Sequence, residues 1–222
     1  GVANAGAVAA AYGSVSAVTF VAAGTFLDRH GLHLPGYLVA VMAFMEAPAI
    51  VVGLWLARRA GASGGTGSWL RHALTNGSVV LVLGSLLVGF VTDEAQAEGI
   101  RPFTNDLFKG FLAVFLLDMG LSSGRNLKAL WGAGWQPFAM ALLLPLVNGT
   151  LMALLSSVTG APAEARFMLS VLAASASYIA VPAAMRIALP EANPGIYLPM
   201  ALALTFPVNM TLGIPWYYWL VS

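Results

Sequence analysis

The chain has 222 residues, of which 59% are hydrophobic and only 9% charged, with a mean hydropathy of +0.83. A soluble domain carries about 25% charged residues, so this composition excludes a globule that keeps a polar surface in water and points to lipid as the solvent. A net charge of +1 and the absence of cysteine exclude a basic field for nucleic acid, a disulfide scaffold, a thiolate metal site and a cysteine nucleophile.

A helix needs about 20 apolar residues to cross a hydrocarbon core of about 30 Å, and seven stretches meet that length: 5–27, 36–57, 76–92, 105–121, 134–158, 163–188 and 195–220. Helices are expected because open strands leave backbone groups unpaired in lipid. The first residue is Gly1, with no basic leader before the first apolar run, and the chain is expected to begin inside a longer protein. The loop after the second span carries Arg58, Arg59 and Arg71 and no acid, whereas the next carries Asp93, Glu94, Glu98 and a single Arg101. The positive-inside rule puts the first of these loops in the cytoplasm, together with the later loop holding Arg125 and Lys128. Ser222 is then external. Residues 60–68 (AGASGGTGS) have the composition of a flexible linker.

Punctuation repeats between the two ends of the chain. Gly13-Ser14-Val15-Ser16 interrupts the first span and Ala174-Ser175-Ala176-Ser177 the sixth. Each is followed by a loop, a glycine (Gly36, Gly195), an apolar span, and a proline twelve residues after that glycine (Pro48, Pro207). The first span runs outward and the sixth inward, so the matched pairs have opposite topology, the sign of an inverted repeat. Chance likeness between small-residue helices is the alternative. If spans three to seven are one five-helix unit, its partner lacks three helices upstream, and the intact fold has ten.

A broken membrane helix exposes the N-terminal end of its second half, whose free N–H groups and positive dipole end attract an anion. Ser14, Ser16, Ser175 and Ser177, with Gly13, Val15, Ala176 and Tyr178 around them, are therefore the candidate substrate-binding residues; close helix packing through small residues is the other reading. Glu46 stands in the middle of the second span, where a charge costs about 2.5–3.5 kcal/mol. Pro48 and Pro207 free the carbonyls of Phe44 and Ala203. A carboxylate beside freed carbonyls suits a hard cation such as sodium, and Thr19, Thr205 and Asn209 are the neutral oxygen donors assigned with Glu46. A structural hydrogen bond or proton exchange are the other roles open to Glu46. Asp118 reads as a snorkelling or capping residue, and Pro137, Pro145, Asn148 and Thr150 as residues that kink and pair helices. Trp216, Tyr217, Tyr218 and Trp219 read as an interfacial belt. His30, His33 and His72 lie in loops without metal-ligand spacing, and no catalytic set emerges.

The stretches YGSVSAVTF (12–20), MEAPAI (45–50), LLDMGL (116–121), LAASASY (172–178), PEANP (190–194) and TFPVN (205–209) together resemble the sodium-dependent bicarbonate transporter superfamily. The resemblance implies an all-α membrane protein of two inverted five-helix repeats, a core domain moving against a gate domain, and often a trimer. On that pattern residues 1–57 end the first repeat, 58–75 form a cytoplasmic linker, 76–128 are gate-type helices and 129–222 are core helices. It further implies inward transport of a small anion, most closely bicarbonate, with Na+ as coupling ion and no organic cofactor, in a bacterial inner membrane. Cyanobacterial members are similar to proteins controlled by a small cytoplasmic nitrogen-signalling-type regulator. They carry an acidic residue where Tyr178 stands and Asp where Glu46 stands. A sodium/organic-anion or sodium/proton exchanger and a non-cycling anion receptor are the alternatives, and an intramembrane hydrolase ranks last because no midplane Ser/His, His/Asp or paired-Asp arrangement is present.

Overall fold

The computed structural model describes residues 1–62, 77–132 and 134–222, all of them helical or in turns and loops, with no strand among the described residues. Arg71, His72 and most of the 60–68 linker lie outside the described residues. Among the described residues four helices are long and apolar enough to cross a membrane: Val2–Arg29, Tyr37–Arg59, Trp135–Ser157 and Pro194–Val221.

The first of these is two helices end to end. Helix α1 (Val2–Gly13) stops where Ser14 turns extended (φ −91°, ψ −175°), and α2 (Ala17–Arg29) starts after Ser16, also extended (φ −105°, ψ 111°). Serine competes for backbone hydrogen bonds and favours caps. Here the Ser16 hydroxyl accepts the Thr19 N–H at 3.1 Å and so begins the second half. Helix α3 (Tyr37–Arg59) carries Pro48 inside it and packs against α1 through small residues. A side chain on Gly53 would come within 2.9 Å of the Ala10 backbone, so the two helices approach as only glycine and alanine permit.

Helix α4 (Gly77–Val91) leads to a short amphipathic helix α5 (Glu94–Arg101), capped by Asp93 and Gln96 in a reciprocal capping box, and then through a π-helical turn to α6 (Phe108–Gly132). Residues 94–101, read as loop, are thus helical because the Asp93 capping signal suffices to start a turn. The fourth expected span also runs on to Gly132, which places Arg125 and Lys128 on the helix rather than in a loop. Leu127 and Trp131 renew the apolar pattern beyond Arg125 and carry the helix on. Phe90 and Phe111 are 88% and 65% exposed, typical of the outward faces of α4 and α6.

Helix α7 (Trp135–Ser157) begins at Gly134, whose φ of 98° only glycine adopts at low cost. The sixth expected span again comes in two halves, α8 (Ala163–Ala174) and α9 (Ala180–Ala188), with residues 175–179 non-helical between them. Helix α10 (Pro194–Val221) starts on the Asn193 cap and widens into π-helical turns on both sides of Pro207. Among the described residues the two larger of three packed clusters hold the helices together. One joins α1, α3 and α9 around Ile50, Leu54 and Met185; the other joins α2, α8 and the end of α10 around Phe20, Phe167 and Tyr217.

Candidate functional site

The two interruptions meet. The Ser177 N–H donates to the Ala11 carbonyl at 2.8 Å, and the Ser16 N–H donates to Ser175 Oγ at 3.1 Å, so each break supplies a donor to the other strand of the crossing. Ser175 passes its own proton to the Leu172 carbonyl at 2.9 Å. Ser16 and Ser177 are used differently. Ser16 Oγ accepts from Thr19 N–H, and Ser177 Oγ accepts from Val181 N–H at 3.2 Å. A hydroxyl that accepts still holds a proton, so both keep an O–H that can donate.

A cavity of about 90 Å3 opens beside this crossing. Its walls include Val15, Ser16, Ser177 and Tyr178, the first residues of α2 (Ala17, Val18), the start of α9 (Ala180), and Met42 and Glu46 from α3. The first N–H groups of a helix have no partner inside it, so two helix starts and two hydroxyls border one small space. Tyr178 is buried with its ring edge-on to Phe206 at 5.6 Å. Its hydroxyl lies near Ser16 without hydrogen-bond geometry to it. Glu46 is half-buried. Among the described residues no cluster of three or more acidic, histidine or cysteine side chains forms elsewhere.

The remaining candidates surround the cavity without lining it. Ser14, Ser175 and Ala176 form the breaks themselves, and Gly13 is the last residue of α1 before the first. Ser14 Oγ is buried and has no hydrogen-bond partner among the described residues. Thr19 is buried on α2. Thr205 donates to the Ala141 carbonyl at 2.7 Å and receives the Tyr12 hydroxyl at 2.7 Å. Asn209 donates to the Ala174 carbonyl at 2.8 Å, closing the C-terminal end of α8. Both therefore brace the broken helices through bonds to protein.

Tyr12 and Tyr217 tie helices together through their hydroxyls, a part that sequence patterning did not give them. Tyr12 links α1 to α10 two residues before the first break. Tyr217 was read with the aromatic belt, yet it is fully buried and donates to the Pro145 carbonyl at 2.9 Å. Four consecutive helical residues cover every face of the helix, so one of them must point inward. It fits because Gly213 leaves room; a Cβ there would lie 3.0 Å from its ring. Trp216, by contrast, is partly exposed and bonds Thr150 at 3.0 Å. Asp118 is exposed on α6, away from the cavity.

An apolar helical chain in which two interrupted helices cross beside a small cavity that holds two serine hydroxyls and one carboxylate has the build of a membrane carrier. The chain belongs to the Na+-dependent bicarbonate transporter superfamily, whose family model matches residues 1–222. No curated protein matches it.

Proposed function

We propose that the protein is a secondary transporter that carries a small anion, most closely bicarbonate, inward with sodium by alternating access in a bacterial inner membrane. The observation that carries this reading is the single cavity bordered by the starts of α2 and α9, the Ser16 and Ser177 hydroxyls and Glu46. The anion is held by the N–H groups of the two helix starts and by the two hydroxyls, with the Tyr178 hydroxyl as a further donor. Sodium sits at the Glu46 carboxylate, beside the backbone that Pro48 loosens. The hydroxyl oxygens that line the cavity suit a hard cation, and no covalent step or organic cofactor is needed.

Seven spans, inverted between the two ends of the chain, support this cycle: the residues of 1–57 and 129–222 hold the site, and the helices of 76–128 act as the gate against which it moves. The exposed apolar faces of α4 and α6 suit contact with lipid. The size of the cavity favours a few-atom anion over the organic anion of the nearest alternative. At about 30 Å3 per water, it holds on the order of three waters.

Counterflow in proteoliposomes of the full-length protein tests the reading, with radiolabelled bicarbonate, nitrate and formate against a dicarboxylate. Sodium-dependent exchange of a small anion, with the dicarboxylate excluded, is expected. Binding without flux would make the protein a receptor, and flux unaffected by sodium would overturn the coupling.

A further inference from the structure

Glu46 shares its cavity with both helix starts, and the described residues lining that space include no lysine or arginine. An anion that enters while the carboxylate is ionised therefore meets a like charge inside about 90 Å3, with no side-chain cation to offset it. At a separation of about 6 Å and an effective dielectric constant of about 20, this repulsion lowers anion affinity by a factor of about 100. Each helix start offsets this by about two- to fivefold at an exposed site and by up to about thirtyfold in a partly buried one. The helix starts act with or without a cation, so only neutralising the carboxylate removes the repulsion.

We infer that Glu46 gates anion entry, so that loading is ordered: the cation binds first, at Glu46, and the anion then enters a neutralised cavity. The inference rests on the reading of this cavity as the anion site. It assigns to sodium a task beyond sharing the path, since the bound cation switches the cavity from repelling anions to admitting them. The cation needs no prior anion, because the lone carboxylate already attracts it. By linkage, the anion in turn raises sodium affinity by the same factor of about 100.

Equilibrium binding to the purified full-length protein at alkaline pH, with radiolabelled sodium and radiolabelled bicarbonate as probes, tests this order. Wild-type protein should bind sodium without bicarbonate, and its bicarbonate affinity should rise about 100-fold from sodium-free to sodium-saturated buffer. Glu46→Gln removes the charge and should bind bicarbonate with or without sodium, the two affinities agreeing within about twofold of each other. Glu46→Asp keeps the charge and should keep the order. Bicarbonate binding to wild-type protein that ignores sodium, or a Gln variant that retains the full sodium requirement, refutes the gate while leaving the anion site in place. Wild-type protein that retains no bicarbonate under either condition refutes the site itself, and the gate with it.

Discussion

The two interruptions use the same residue types and are completed differently. At the second, Asn209 closes the Ala174 carbonyl and Ser175 spends its hydroxyl on Leu172 while accepting the Ser16 N–H. At the first, Ser14 Oγ has no partner among the described residues. Ile50, two residues after Pro48 as Asn209 is two after Pro207, has no polar group to offer. The side that carries Glu46 is thus the less saturated side, and the side that carries Thr205 and Asn209 is braced. Two similar breaks differ in saturation: the first leaves a buried hydroxyl without a partner among the described residues, and the second is closed by Asn209.

The largest expected effect breaks what the two halves share. Ser16→Leu and Ser177→Leu both fill the common cavity, and each should abolish sodium-dependent uptake while membrane expression stays near normal, since leucine is favourable in lipid. Uptake by one variant with loss in the other would separate the two breaks into unrelated features. Removing a hydroxyl alone is milder: Ser16→Ala or Ser177→Ala should weaken apparent anion affinity by about threefold to tenfold, measured as a shift in half-saturating concentration.

Stability measurements sharpen the asymmetry. Asn209→Leu leaves the Ala174 carbonyl unpaired and should cost about 1–3 kcal/mol in detergent unfolding. A neutral result would mean that the brace is dispensable. Ser175→Ala should cost about 1–2 kcal/mol, because it strands the Ser16 N–H, and Tyr12→Phe about 0.6 kcal/mol, the usual worth of a hydrogen bond between membrane helices. Ser14→Ala should be neutral or stabilising, since it deletes a buried hydroxyl that has no partner among the described residues. If Ser14→Ala proved as damaging as Ser175→Ala, the two breaks would be equally saturated and the division between them would disappear.

Much of this was legible along the chain. Low charge and long apolar runs require a helical membrane protein, because lipid leaves no other way to satisfy the backbone. The Gly-Ser and Ala-Ser clusters marked both breaks, since serine and glycine favour caps over helix interiors wherever they occur. The ordered short stretches identified the family. Helix ends were less legible: α6 runs on to Gly132 because Arg125 and Lys128 are as compatible with a helix as with a loop.

What only the tertiary structure decided is which polar groups remain free. Ser16 meets Ser175 across 159 positions and Tyr12 meets Thr205 across 193, and no local pattern encodes contacts of that separation. Thr205 and Asn209 look, in sequence, as available to a cation as Glu46 does. Packing directs both to backbone carbonyls and leaves Glu46 on the cavity wall. Residue type determines what a side chain can bind, while the surrounding fold determines whether that capacity has already been used, because a buried polar group takes whichever partner the packing brings within reach.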